Sequence, residues 1–371
     1  SVFLSINQEN STYNATIFDT IHSTGQIINF REFENTIVSI YERAIVESKL
    51  LCEFSPFLQI ECPGFLRFYS FYFEAKNLSC FAFSDEMSTS IIGKNLDGEF
   101  VDISNMFDIS APTFDFYSLK NNHFVQVTDK KIYLYRYNND SEEIENQCTK
   151  LNIDLSHVSK VSRFDNLIAI LTNVNSIHFY DIIETNNTQN DEDANGNGQD
   201  DDFTRDDTNK SYEISKRPQV IFENNQISSI AISKDFLAIS FINPDKIQLY
   251  RLQEDKGFEL TQSIQIGPVV DLAFQNGNFY ALSPTDKITI IPPNFSTVTV
   301  IDSLGAHSSI RPINEKIIFV NGPDPAVIFG YNNIYPLKFK SQVIDATFSE
   351  DHIAILSNES LFLGNLTNPF Y

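Results

Sequence analysis

No tryptophan occurs anywhere in the 371 residues, which excludes repeats built on Trp-Asp dipeptides and their Gly-His partners. Basic residues are scarce too: 26 Lys and Arg face 49 Asp and Glu, for a formal net charge of −23. A surface devoted to a phosphate backbone needs concentrated cations, so nucleic acid is disfavoured as the main partner, although one local basic groove is not excluded. No apolar run approaches the ~18 residues that would mark a transmembrane helix. The apolar start, SVFLSI, is too short for a secretory leader and has no basic residues before it. Because the first residue is Ser1 rather than Met, the chain reads as a segment excised from a longer protein.

Cysteine is sparse as well. Cys52, Cys62, Cys80 and Cys148 form no Cys-x-x-Cys pair, so neither a zinc site nor a disulfide framework is indicated. They read as reduced core thiols of an intracellular protein. Asn-x-Ser/Thr triplets at Asn14, Asn77, Asn294 and Asn365 are what an Asn-rich chain produces by chance.

Catalytic signatures are missing in the same way. There is no phosphate-cradling glycine loop, no His-Glu-x-x-His and no dinucleotide fingerprint. The six histidines (His22, His123, His157, His178, His307, His352) are scattered. His178 sits at an alternating strand position, where a satisfied core or surface role outweighs ligation. His307 precedes two serines without a nucleophile-elbow context and reads as loop polarity. Glu142-Glu143 and Asp206-Asp207 lie in polar loops, where solvation is the default. One stretch fits the calcium-loop spacing: Asp191, Asp193, Asn195, Gly196 and Asp202. Asp202 is too short to reach an ion as the usual Glu does, Gly198 replaces an apolar anchor, and no amphipathic helix flanks the loop. A solvated acidic loop is the better reading. No catalytic, cofactor-binding or metal-ligating residue is therefore assigned, no cofactor is expected, and the chain reads as non-enzymatic.

What the sequence has in quantity is short strands. Hydrophobic residues make up 42%, with 33 Phe and 15 Tyr. Ile227–Ser233, Phe236–Phe241 and Lys246–Leu252 read as three strands parted by Lys234-Asp235 and Asn243-Pro244-Asp245. The same three-strand unit returns at 160–182, 269–291 and 343–366, with related pieces at 79–106, 124–136 and 317–339. Asp97-Gly98 marks a tight hairpin, and Gly322-Pro323-Asp324-Pro325 a turn. Phe65–Phe73 reads as a strand buried on both faces, and 35–46 as a strand pair whose period also suits a short helix. Tyr133, Tyr135 and Tyr250 read as packing between repeats.

Seven or eight such units fill the chain, and recurrence at roughly 40–50 residues is the mark of propeller blades. The expectation is an all-β, seven-bladed β-propeller, WD40-like without WD signatures, formed by residues 1–371 as a single domain. Within residues 1–34, an apolar strand is expected to complete the last blade. Residues 184–210 hold nine acids, two bases and one large apolar side chain, Phe203. Such a segment buries too little to offset its ordering entropy, so it is expected to be a disordered acidic insertion within one blade.

The order of elements resembles a known family. A strand pair at 35–46 precedes a Leu-Asp-Gly-Glu hairpin with an acidic follow-on (Leu96–Ile103). Then come a Phe-Val-Gln-Val-Thr strand (Phe124–Thr128), the DPAVIF stretch from Asp324 with Asn332-Asn333 after it, and a closing unit over Ile353–Leu363. This order is similar to the central β-propeller of the family that includes the large subunit of UV-damaged DNA-binding protein. The same family holds the large subunit of the cleavage and polyadenylation specificity factor and splicing factor 3b subunit 3. The likeness spans residues 35–366; the acidic insertion and the middle blades depart from it, and the Gly322-Pro323 turn looks more like the polyadenylation branch. The resemblance implies one propeller of a larger multi-propeller scaffold without catalysis, located in the nucleus. Its expected partners are proteins: the N-terminal region of a cullin in a ubiquitin ligase acting in DNA repair, or RNA-processing subunits of a polyadenylation or splicing complex. Nucleic acid would be reached only indirectly through the complex, and no membrane is implied.

Overall fold

Leu78–Ser84, His123–Thr128 and Leu167–Thr172 are buried along their whole length, on both faces of their sheets. That is why they read as mostly apolar runs and not as alternating ones, with the few polar side chains, such as Gln126, buried and hydrogen-bonded. Phe236–Ile242, Asn278–Leu282, Ile317–Asn321 and His352–Ser357 repeat the pattern. Each is the second strand of a blade of four antiparallel strands, to which Val220–Ile221 adds a short fifth in one blade, and the two faces of each blade are covered by the blades on either side. Burial fades outward: the fourth-strand segment Gly257–Gln265 is mostly exposed.

The computed structural model describes residues 2–9, 12–20 and, from 52 to 367, all but short stretches, the longest being 147–157 and 187–209. It divides into two units, Ser1–Leu51 and Cys52–Tyr371. In the first, Val2–Glu9 pairs antiparallel with Thr12–Thr20. The strand pair or helix expected at 35–46 lies outside the described residues. The second unit is all-β, a seven-bladed propeller with no α-helix among the described residues. Blades 1 to 6 occupy residues 67–102, 113–146, 158–216, 226–265, 271–302 and 309–338.

Blade 7 joins the two ends of this unit. Val343–Ser349, His352–Ser357 and Ser360–Thr367 supply three strands, and Cys52–Glu61 adds the outermost, running antiparallel from Glu53↔Thr367 to Glu61↔Ser360. The closing strand is thus Cys52–Glu61, not a segment of residues 1–34 as the sequence suggested. Its sequence, CEFSPFLQIE, hides the role. Pro56 cannot donate to a ladder and is tolerated because this is an edge strand with a register shift between Pro56 and Leu58. Two further residues, Cys52 and Glu53, pair in parallel with Leu337 and Lys338 of blade 6.

Between blades the side chains form successive apolar clusters. The cluster of blades 1 and 2 is aromatic, with Phe71 stacked on Phe116 (centroids 4.3 Å apart) and Tyr133 and Tyr135 buried within it. That of blades 5 and 6 is aliphatic, built on Ile288, Ile310, Ile318 and Ile328. Tyr250 packs at the edge of the blade 3–4 cluster, so all three tyrosines take the packing role expected of them.

The acidic insertion is narrower than 184–210. Glu184–Asn186 continue a strand of blade 3, and Asn186 pairs with Lys210 to begin the next. Residues 187–209 join these two strands and lie outside the described residues, as do the Asp191–Asp202 loop and Asp206-Asp207.

Candidate functional site: the central channel

The first strand of each blade lies innermost, and several carry the same irregularity. The register slips by one residue between Thr113 and Asp115, Val158 and Lys160, Ile227 and Ser229, and Val343 and Asp345. A β-bulge at this point re-aims the side chains that follow it. The bulged residues Phe114, Ser159, Ser228 and Ile344 line a central cavity of about 550 Å³, and the polar residue after each reaches across to neighbouring blades.

These reaches connect most of the ring. Lys160 of blade 3 donates to Ser229 Oγ of blade 4 (2.9 Å), to Leu272 O of blade 5 (2.6 Å), and to the Asp271 carboxylate. Ser229 Oγ also donates to Asp271 Oδ1 (2.9 Å). Asp271 Oδ2 accepts from the Ile310 N–H of blade 6 (3.0 Å). Arg311 of blade 6 donates through Nη1 to Asp345 Oδ2 of blade 7 (2.5 Å) and through Nη2 to Phe68 O of blade 1 (3.0 Å). Asp345, 5% exposed, also accepts from the Phe68 N–H (3.2 Å) and the Ala346 N–H (2.9 Å). Blades 1 and 2 are clipped differently: Thr89 Oγ1 and Thr113 Oγ1 share a hydrogen bond (2.8 Å), and the Thr113 N–H donates to Ser84 Oγ (2.8 Å). Burial pushes the phenols of Tyr69 and Tyr117 above the usual tyrosine range, so both stay neutral beside these charges.

The blade 2 side differs. Arg67 of blade 1 lies over the Phe114 ring, 4.1 Å from its centroid, and its side chain makes no hydrogen bond or ion pair with any described residue, its charge acting on Asp345 through space alone. Arg163 of blade 3 lies over the Tyr117 ring (3.9 Å) and gives its Nε–H to Asp115 Oδ2 (3.1 Å). Both arginines line the cavity.

None of these channel residues stands out by type, yet their spacing does. An apolar or Thr residue followed two positions later by a polar one opens five inner strands: Thr113/Asp115, Val158/Lys160, Ile227/Ser229, Val269/Asp271 and Val343/Asp345. The histidines, by contrast, are not brought together. His123 and His178 are buried in different blades, and burial holds both imidazoles below the usual range. His352 begins the second strand of blade 7 and lies 3.0 Å from Asn365 Oδ1, and His22 and His157 are outside the described residues. Glu142-Glu143 is exposed, as expected of a solvated pair. Cys52 and Cys80 are free and buried, and burial pushes the Cys80 thiol up to about 12, which leaves it unreactive. No group of three or more His, Cys, Asp or Glu able to hold a metal occurs among the described residues. No helix among them is long and apolar enough to cross a membrane.

The end faces also differ. Antiparallel connectivity puts the inter-blade links and the turns between second and third strands at the same end of every blade. Six exposed apolar side chains gather there: Leu66, Met87, Ile109, Val174, Ile221 and Val270. At the opposite end are Tyr72 and Leu96.

Among solved structures, one titled "Crystal Structure of Mitotic Checkpoint Complex" holds a chain that superposes with a TM-score of 0.56 at 10% identity, covering 85% of this chain and 96% of that one. At that identity the likeness shows the fold alone. No curated protein sequence matches. The model of the RSE1/DDB1/CPSF1 second beta-propeller matches residues 83–269, from the second strand of blade 1 to the threshold of blade 5. A propeller of this type supports a scaffold role. With just over half of its length matched and all seven blades in place, the chain belongs to the RSE1/DDB1/CPSF1 second beta-propeller family.

Proposed function

We propose that the protein is a non-enzymatic adaptor that docks the N-terminal region of a cullin in a nuclear ubiquitin ligase acting in DNA repair, as one propeller of a larger multi-propeller protein. The observation that carries the docking role is the gathering of six exposed apolar side chains at one end of the blades. Exposed apolar side chains concentrated on one face mark an interaction surface, whereas isolated ones are ordinary. A rigid ring of blades presents such a face without rearrangement, which suits protein docking more than chemistry on a small substrate. The net charge of −23 favours a protein partner over direct nucleic-acid contact.

A second reading rests on the other two names in the family description: a scaffold in pre-mRNA 3′-end cleavage and polyadenylation, or in splicing. Titration calorimetry against cullin N-terminal fragments, and against polyadenylation and splicing subunits of the same source, separates the two. A cullin complex with an interface of the standard size, roughly 1,600 Å² in total, is the expected result. Binding to an RNA-processing subunit without cullin affinity moves the assignment to the second reading. Charged substitutions at Met87 and Val174 should abolish whichever complex forms, and unchanged affinity would remove this face from the account. A fluorescent fusion excluded from the nucleus would overturn both readings.

A further inference from the structure

We propose that the blade 2 side of the central channel is a binding site for a small oxyanion, with Arg67 as its main donor and Arg163 as its second. In a chain with 49 acids and 26 bases, a half-buried arginine whose side chain makes no hydrogen bond or ion pair to a described carboxylate is unusual. Arg67 is such a residue, and its guanidinium stands over the Phe114 ring, 4.1 Å from the centroid, with its side-chain N–H donors unspent. A guanidinium forks onto a carboxylate or phosphate through two parallel hydrogen bonds, and pre-orientation lowers the entropy lost on binding. Arg163 is held the same way over Tyr117 and spends only its Nε–H on Asp115.

The carboxylates of the channel hold Arg67 by no hydrogen bond, although its charge acts on Asp345 through space. Asp271 and Asp345 are each saturated by a cation and by backbone N–H groups, and Asp115 is taken by Arg163. The cavity, about 550 Å³, is within the size range of small-ligand sites, roughly 300–1,000 Å³. Its rim supplies apolar contact: Leu66 is 45% exposed and Val270 39%, and both line it. The ligand class this describes is an oxyanionic head, phosphate or carboxylate, on a small and partly apolar body. The site shares Leu66 and Val270 with the docking face, but it does not depend on the identity of any protein partner.

The test uses the whole chain and two probes, inorganic pyrophosphate and succinate, titrated calorimetrically with ionic strength held constant by sodium chloride. The expected result is saturable one-to-one binding of at least one probe. Arg67→Gln should weaken it about tenfold or more, the usual cost of losing charge-assisted hydrogen bonds, and Arg163→Gln less. Arg251→Gln, on the exposed side of a blade 4 strand, should leave it unchanged. Tighter binding of pyrophosphate assigns the head to phosphate, and tighter binding of succinate to carboxylate; either supports the site. Because the Arg67 side chain has no hydrogen bond to lose, Arg67→Gln should keep the wild-type circular dichroism spectrum. No saturable binding of either probe by the wild-type chain, or equal binding by Arg67→Gln, overturns the proposal.

Discussion

The two arcs of the channel wall use the same residue types to opposite ends. From blade 3 round to blade 1, the cations Lys160 and Arg311 are consumed: each spans neighbouring blades and ends on a carboxylate that backbone N–H groups also satisfy. Beside blade 2, Arg67 and Arg163 lie on aromatic rings and keep donors unspent. A charged channel is therefore not in itself a site. Charges that saturate one another fix the blades in register, and only a charge whose donors are left over can recognise something else. The consumed arc also contains blade 7, where the chain closes on itself without a covalent link between the paired strands.

Removing the centre of the consumed arc should do the most damage. Asp345→Ala strands Arg311 and leaves the Phe68 and Ala346 N–H groups without their acceptor. Breaking a buried pair from one side costs about 3–5 kcal/mol. Equilibrium urea unfolding should show that loss; a change under about 1 kcal/mol would mean the bridges are incidental to the ring. Next comes the strand that completes blade 7. A Cβ on Gly364 would stand 2.5 Å from Ser55 O and 2.7 Å from the Phe54 ring. Gly364→Val should therefore cost about 1–3 kcal/mol by overpacking. If the side-chain bridges alone held the ring shut, its unfolding midpoint would match the wild type.

A smaller effect belongs to histidine. His178, in blade 3 with Lys160, is held below the usual imidazole range by burial, and the charge of Lys216 adds to the shift. A base with a depressed folded pKa supplies stability above the unfolded value, about 6.5, because there neither state carries the proton. As pH falls below that value the unfolded chain takes up the proton first, and the stability is lost. The thermal midpoint should fall between pH 7.5 and 5.5, and His178→Asn should flatten that slope. An unaltered slope would assign the proton uptake elsewhere, His123 being the other buried candidate.

The fold was legible because each blade repeats one physical arrangement. A second strand covered on both faces must be largely apolar, with any polar side chain paired, and LIAILT, LAISF and HIAILS announce that directly. Turns such as Asp97-Gly98 needed only local chemistry, and Gly98 adopts φ +85 there. The closing strand Cys52–Glu61 was not legible, since an edge strand with a proline and two acids carries no burial pattern of its own. Nor was the channel. Lys160 and Asp271 are 111 positions apart, and Arg311 and Phe68 243, so only ring closure brings them together. The recurring spacing of Val158/Lys160, Val269/Asp271 and Val343/Asp345 was the available sign. It straddles the boundaries between links and strands, where the alternation of a strand has not yet begun.

The smallest expected effect is the sharpest probe of the two arcs. Arg67→Ala and Arg311→Ala make the same chemical change in the same channel. Arg311→Ala leaves Asp345 charged, 5% exposed and without its cation, and should cost about 3–5 kcal/mol. Arg67→Ala removes a stack on Phe114, an interaction of about 0.5–1 kcal/mol at a partly exposed site, and a charge that acts on Asp345 only through space, without a hydrogen bond to it. The net change should be less than about 1 kcal/mol. Paired urea titrations of the two variants measure the difference directly. Equal losses would show that Arg67 is as structural as Arg311, and the distinction between consumed and available charge would have to be withdrawn.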